Sequence, residues 1–321
     1  MTAVSLTVAL IDYETMAKKK APYPGNFAHP RYWPTWLAIT LMRLGAWLPW
    51  RLKLWVGRAI GEMVWRIAKR RRHITETNLR LCFPELNEDE HYRLVRKTFH
   101  ANGIGILETA TGWCRNPEHM RDRVTFKGAE HMERAMAQGK GALIIGIHFS
   151  TLDLGGALHS LFFPADVVYR PHDNPVFEDF MTKARRHIFG AAIDRHDLRG
   201  VVRRIKSGNA VWYSPDQDFG REASVFAPFF GIDAASIKLT AKIAKMTGAP
   251  VMPLMFHRNP DNRTYTLEYL PAFEDFPSGD EVADAARING FIEQAIRKHP
   301  EQYLWLHRRF KTRPEGEPSP Y

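Results

Sequence analysis

The sequence predicts an α/β protein with a mostly parallel central sheet flanked by helices, preceded by an N-terminal helical membrane anchor. Three observations predict it. From Thr75 onward, short apolar strands alternate with amphipathic helices, the pattern of a sheet covered on both faces. The run Ala142-Leu143-Ile144-Ile145-Gly146-Ile147 has no polar position, as in a strand buried on both sides. And 321 residues, 45% of them hydrophobic, suffice for a large core.

In chain order, residues 1–28 read as a poorly ordered extension closing on Pro22, Pro24 and Gly25. Its first dozen residues are apolar, but no basic segment precedes them and Asp12 and Glu14 follow, so no cleavable signal peptide is expected. Residues 29–74 read as membrane-anchor helices, spanning the bilayer or lying in its interface. Tyr32 to Trp50 is mostly apolar, with Trp33, Trp36 and Trp47 near its ends, where tryptophan sits at membrane interfaces. Arg43 near its middle argues against a clean span, at roughly 2.5–3.5 kcal/mol for an arginine at a helix centre. Leu52 to Ile67 is amphipathic and runs into Lys69-Arg70-Arg71-Arg72, a cluster that attracts anionic headgroups on the cytoplasmic side.

Residues 75–321 read as the α/β domain. Helices are predicted over Thr75–Leu81, Glu88–Trp113, Ala129–Gln138, Leu152–Leu161, Val176–Phe189, Leu198–Lys206, Ala235–Met246 and Asp280–Lys298. Strands are predicted over Val124–Lys127, Ala142–Ile147, Asp166–Tyr169, Ala210–Tyr213, Val251–His257 and Thr264–Leu270. The net charge of +10 points to a polyanionic partner without choosing among nucleic acid, an anionic membrane and a phosphorylated substrate. Cys82 and Cys114 form no CxxC, so neither a disulfide framework nor a structural zinc is indicated.

The chemistry is expected beyond the carboxyl ends of the strands, where open α/β sheets place their sites. The buried strand Ala142–Ile147 runs directly into His148, and Asp153 follows one turn into the next helix. A carboxylate at this H-x4-D spacing can hold one imidazole nitrogen and leave the other as a general base. The spacing alone carries little, since about 1.5 such pairs arise by chance in this composition; the position at a strand exit makes the case. GxSxG, HExxH, a P-loop and a dinucleotide fingerprint are absent, which favours general-base chemistry without a covalent enzyme intermediate and calls for no metal or cofactor.

Two further strand ends are polar. Arg170, in Tyr169-Arg170-Pro171-His172, suits an oxyanion or a phosphate, or else an ordinary surface ion pair. Asp216 and Asp218 lie in a Pro- and Asp-rich turn and suit sugar hydroxyls or the orientation of Arg170. Arg199 and Arg203 share one helix face with Lys206 and suit substrate phosphates or plain solvation. The tail containing Arg308, Arg309 and Phe310 suits an anionic bilayer edge.

These residues stand in stretches that resemble the lauroyl and palmitoleoyl acyltransferases of lipid A biosynthesis, within the lysophospholipid acyltransferase superfamily. The resemblance runs from His29-Pro30-Arg31-Tyr32-Trp33 to the C-terminus. It includes Asn78-Leu79-Arg80-Leu81-Cys82-Phe83-Pro84, Gly146-Ile147-His148-Phe149, Tyr169-Arg170-Pro171, Pro215-Asp216 and Phe226-Ala227-Pro228-Phe229-Phe230. It is strongest over Pro300-Glu301-Gln302-Tyr303-Leu304-Trp305-Leu306-His307-Arg308-Arg309-Phe310-Lys311-Thr312-Arg313-Pro314. It implies an inner-membrane enzyme working at the cytoplasmic face, with acyl-acyl carrier protein as donor. The implied acceptor is the hydroxyl of a 3-hydroxyacyl chain on a Kdo-bearing tetraacylated lipid A precursor. It also implies a catalytic pair, His148 as base with Asp153 as acidic partner. Asp153 stands where these enzymes carry glutamate, so the pair has to sit closer. Ser236-Ile237-Lys238-Leu239 replaces an expected run of Thr and Gly, which places Lys238 against the acyl or acceptor pocket.

Competing readings are a glycerol-phosphate or lysophospholipid acyltransferase of the same superfamily, a thioesterase, and a non-catalytic basic protein binding lipid or nucleic acid. No recognisable nucleic-acid module supports the last.

Overall fold

A computed structural model describes residues 27–321, so most of the predicted extension, 1–26, lies outside the described residues. Four helices come first: α1 (Trp33–Trp47), α2 (Trp50–Ile67), α3 (Lys69–Cys82) and α4 (Glu88–Cys114). The helix α3 runs unbroken across residues 74 and 75. At the N-terminus of α4, Asn87 Oδ1 accepts from the Glu90 N–H at 3.0 Å and Glu90 accepts from the Asn87 N–H at 2.9 Å, a reciprocal capping box.

The helices α2 and α4 cross at backbone contact because glycines face each other. A Cβ on Gly61 would stand 2.3 Å from the Phe99 carbonyl oxygen. Buried Lys53 on α2 donates to the Ala46 carbonyl (2.8 Å) and to Thr111 Oγ1 (2.7 Å), and burial lowers its pKa to about 8. On α4, Glu108 is buried against Arg258 at 2.7 Å, with the Tyr265 hydroxyl donating to the same carboxylate, which ties this helix to the sheet.

The sheet part follows as β1 (Val124–Lys127), α5 (Ala129–Met136), β2 (Ala142–Ile145), α6 (Leu152–His159), β3 (Asp166–Tyr169), α7 (Pro175–Ile188), β4 (Ala192–Asp194), α8 (Leu198–Lys206) and β5 (Ala210–Tyr213). It continues with β6 (Ser224–Phe229), β7 (Ile232–Ile237), α9 (Leu239–Thr247), β8 (Val251–Arg258), β9 (Tyr265–Tyr269) and α10 (Glu281–Lys298). Seven strands pair in the order β1-β9-β8-β2-β5-β3-β4, and only β8 and β9 pair antiparallel. The predicted mostly parallel sheet between helices is what forms. Alternation within β2 divides the core: Leu143 and Ile145 pack with Ile205, Ile243 and Ile292, while Ala142 and Ile144 pack with Leu158, Trp212 and Met252 on the opposite face.

One predicted helix divides differently. Residues 232–237 form β7, which pairs antiparallel with β6, and α9 begins only at Leu239. The turn Phe230-Gly231 has positive φ at both residues (53° and 75°), the condition for a tight two-residue hairpin. The hairpin is held from α10, where Asn289 Nδ2 donates to the Pro228 carbonyl and to Ser236 Oγ, each at 2.9 Å. These partners override the helix propensity of Ala234 and Ala235.

Of the two placements expected for the anchor, spanning and interfacial, the spanning one is corrected. Among the described residues no helix is long and apolar enough to cross a membrane. The helix α1 has 15 residues where a span takes about 20. What α1 presents is an exposed apolar stripe: Trp33, Leu37, Leu41, Leu44 and Trp47, the last 69% exposed.

Candidate active site

Three segments converge beyond the carboxyl end of β2. The first is the loop 146–151 that carries His148. The second is the loop after β5 that carries Asp216 and Asp218. The third is the C-terminal segment from Gln302 to Thr312, which lies alongside the first. There the Leu304 N–H donates to the His148 carbonyl at 3.0 Å and the Ser150 N–H donates to the Gln302 carbonyl at 2.7 Å. The Tyr303 hydroxyl donates to the Asp216 carbonyl at 3.1 Å. Asn78 of α3 holds this segment from outside, donating to the Trp305 and His307 carbonyls at 2.7 Å each. Gly146 leaves the first loop room to turn, since a Cβ there would stand 2.1 Å from the Trp212 indole nitrogen.

The carboxylate that holds His148 is Asp216. Its Oδ1 lies 2.5 Å from His148 Nδ1, and its Oδ2 accepts the His148 backbone N–H at 2.8 Å. The His148 side chain is 24% exposed and the Asp216 side chain is fully buried. The bidentate grip fixes the ring orientation and places the proton on Nδ1. Nε2 is left without a hydrogen-bond partner among the described residues. Burial opposes an imidazolium here. The Asp216 charge and hydrogen bond, with a smaller contribution from Asp153, outweigh it and raise the His148 pKa above the ordinary histidine value. Burial pushes the Asp216 pKa up, but the charge and bonds of His148 bring it below its usual value.

Asp153, predicted as the partner, is therefore corrected to a neighbour. It sits in the first turn of α6, where its carboxylate accepts from Trp113 Nε1 at 3.1 Å and from Arg185 at 3.4 Å. Arg185 in turn lies over the Tyr169 and Trp113 rings. Sequence reading missed Arg185, which sits in the last turn of α7 with no motif around it. It also gave Asp216 a different role. A signal for Asp216 existed: β2 and β5 are neighbours with Ile145 opposite Tyr213, and His148 and Asp216 each lie three residues beyond that pair.

His148 lines a cleft of about 400 Å³. One part of its wall is apolar, with Trp113, Leu152, Phe177, Met181 and Phe189. The other is basic, with Arg70, Arg71, Arg170, Arg195, Arg308 and Lys311. Arg170 reaches Asp173 at 3.5 Å and remains at the cleft.

Several predicted contacts fall elsewhere. Asp218 lines the cleft, but its carboxylate accepts from Gly220, from the Thr312 N–H (2.7 Å) and from the Thr312 hydroxyl, so it anchors the C-terminal segment. Its own N–H donates to His307 Nε2 at 2.9 Å. Burial and the nearby Arg309 charge hold the His307 pKa down to about 3, so this ring is a neutral acceptor. Arg199 and Arg203 lie outside the cleft, in a groove between α8 and α9. Lys238 also lies outside it and pairs with Glu281 at 3.8 Å. Arg309 is buried, not at a bilayer edge, because its guanidinium serves the Ala235 carbonyl (2.7 Å) and Ser236 Oγ (3.1 Å) of the hairpin. Phe310 beside it is fully buried in the core. Arg72 pairs with Glu76 on α3 at 3.6 Å.

An oriented imidazole at the carboxyl edge of a parallel sheet, facing a cleft with basic and apolar walls, can take a proton from an amphipathic, anionic substrate. The comparisons give the family. Residues 22–312 match the family described as bacterial lipid A biosynthesis acyltransferase, and the chain belongs to it. It is 41% identical over 294 residues to the lipid A biosynthesis lauroyltransferase of Escherichia coli (strain K12), which covers 91% of this chain and 96% of that one. It is 39% identical over 297 residues to the palmitoleoyltransferase of the same strain (92% and 97%). It is 29% identical over 298 residues to the myristoyltransferase (92% of each). The protein is thus an acyltransferase of lipid A biosynthesis.

The Asp216 charge raises the His148 pKa, so removing that charge lowers it. In Asp216→Asn the acid limb of kcat/KM for acyl transfer moves to lower pH, and the plateau falls about 10²–10⁴-fold, the span of general-base effects. Asp153→Asn moves the limb less, in the same direction. An unmoved limb in Asp216→Asn contradicts this assignment, and pH–rate profiles of the purified variants decide it.

Proposed function

We propose that the protein transfers a fatty acyl chain from acyl-acyl carrier protein to the hydroxyl of a 3-hydroxyacyl chain on the Kdo-bearing tetraacylated lipid A precursor. The observation that carries this reading is His148 at the cleft, with Nδ1 committed to Asp216 and Nε2 unengaged. The acceptor hydroxyl gives its proton to His148 Nε2 as its oxygen attacks the thioester carbonyl. Asp216 stabilises the imidazolium that forms. The tetrahedral intermediate collapses to the ester, the C–S bond breaks, and the imidazolium returns the proton to the leaving sulfur. Arg170, or backbone N–H groups at the start of α6, receives the negative charge on the carbonyl oxygen. The basic wall suits the phosphates and acidic sugars of the acceptor, and the apolar wall suits an acyl chain.

The same reading puts α1 and α2 in the interface of the inner membrane, on its cytoplasmic side. Trp33, Leu37, Leu41, Leu44 and Trp47 on α1 and Leu52, Trp55, Met63 and Ile67 on α2 form an exposed apolar surface, with Trp36 more than one-third exposed. Arg51, Arg58, Arg66 and Arg70 are exposed alongside it. Such a surface lies in a bilayer boundary and draws on anionic headgroups.

Two measurements test this. Purified protein with acyl-acyl carrier protein and the tetraacylated acceptor yields a pentaacylated product by mass spectrometry, and His148→Ala lowers the rate at least 10²-fold with an unchanged circular dichroism spectrum. Product formed only on a glycerol-phosphate acceptor, or near-normal turnover by His148→Ala, overturns the reading. In the second, Leu41→Glu with Leu44→Glu weakens binding to phosphatidylglycerol vesicles by more than about ten-fold, since each leucine contributes about 1.5–3 kcal/mol when buried. Unchanged partitioning would take α1 out of the interface.

A further inference from the structure

A second groove lies outside the catalytic cleft, between α8 and α9. The cations Arg199, Arg203, Lys206 and Lys242 line it, together with Val202 and Met246. On α8 the reason is its amphipathic spacing: Val201 and Ile205 are buried in the core, which turns Arg199, Arg203 and Lys206 outward. No carboxylate lines the groove. Several exposed cations elsewhere on the surface have local counter-charges, as in Lys183–Asp179, Arg80–Glu88 and Arg297–Glu293. Among the described residues, none of the four groove cations forms an ion pair. A one-signed row of this kind repels itself in the free protein and projects a positive potential that a complementary partner relieves.

The shape narrows the partner. Arg199, Arg203 and Lys206 stand at helical spacing, i, i+4 and i+7, which matches carboxylates repeated along a partner helix. Beside the cations the groove offers Val202 and the 45% exposed Met246, whose flexible thioether accommodates an apolar side chain. Cations beside a small apolar patch are a composition found in protein–protein contacts. A bilayer contact has the opposite balance, as on α1, where five large apolar side chains are exposed in one stripe. The groove also adjoins the catalytic cleft. Arg195 lines the cleft and Leu198 lines the groove, and three residues of chain span at most about 11 Å.

We propose that the α8–α9 groove docks an acidic helical protein, namely the carrier that brings the acyl thioester to the cleft. This rests on the protein-borne donor assigned under Proposed function. Docking places the carrier beside the cleft mouth, so a flexible thioester arm enters while the lipid acceptor arrives from the membrane side.

The test compares two donors that carry the same acyl chain, one on acyl carrier protein and one on free pantetheine, with the full-length protein and the lipid acceptor. In Lys206→Glu/Lys242→Glu, the KM for the carrier-borne donor rises about ten-fold or more with kcat little changed, and turnover of the acyl-pantetheine is unchanged. The salt dependence of that KM, steep in the wild type, flattens in the variant. An unchanged KM for the carrier-borne donor overturns the proposal while leaving the transferase reading intact. Loss of phosphatidylglycerol vesicle binding with that KM unchanged assigns the groove to the membrane, and also overturns it. Should the charge reversal abolish turnover of both donors, the milder pair Lys206→Gln/Lys242→Gln decides the matter by the same ratio of KM values. A wild type that consumes acyl-pantetheine but ignores the carrier-borne donor contradicts the donor assignment itself, and this docking surface with it.

Discussion

The bond between the His148 ring and the Asp216 carboxylate is the constraint around which the rest of the molecule is arranged. Its geometry comes from the sheet. Adjacent parallel strands β2 and β5 place Ile145 opposite Tyr213, so the loops that follow bring residues 148 and 216 level with each other. A shift in that register would part them. The C-terminal segment then closes over both loops, bonding to the His148 carbonyl on one side and to the Asp216 carbonyl on the other. The long helical bundle supports this closure through Asn78, and the buried Glu108–Arg258 pair locks α4 to the sheet. Few of these contacts touch the cleft, yet each limits how far the imidazole can move.

The division of labour over the surface follows from which side chains each face presents. The helices α1 and α2 keep a continuous apolar stripe. The cleft combines cations with apolar side chains, a lining suited to an anionic lipid. The α8–α9 face carries one-signed charge with a small apolar patch. Three surfaces of different chemistry thus lie on one chain.

Much of this was legible in the amino-acid order. The buried run Ala142–Ile147 announced both the central strand and the place where chemistry begins, because a strand apolar at every position has to lie inside a parallel sheet. The helix Leu198–Lys206 and the strands Asp166–Tyr169 and Ala210–Tyr213 were readable to the residue from their periodicity. The partner of His148 was not. Spacing along one chain segment favours the local acid, Asp153, whereas the acid that holds the ring lies 68 residues away and is brought there by strand order. The basic tail misled for a similar reason. Arg309 is charged in sequence but satisfies carbonyl groups inside the fold, and a local pattern does not reveal a tertiary partner. The segment Ile232–Ile237 went to a hairpin although its alanines favour helix, since cross-strand pairing outweighs a propensity difference of well under 1 kcal/mol per residue.

The position of the proton on the His148 ring decides whether this site can act as a base, and nitrogen-15 NMR of histidine-labelled protein reads that position directly. At pH values above its raised pKa the His148 ring is predicted to carry its proton on Nδ1, in a strong hydrogen bond that shifts this proton far downfield, with Nε2 unprotonated; the downfield signal vanishes in Asp216→Asn and persists in Asp153→Asn. A ring protonated on Nε2 instead, or a downfield proton lost with Asp153 and kept without Asp216, would contradict it.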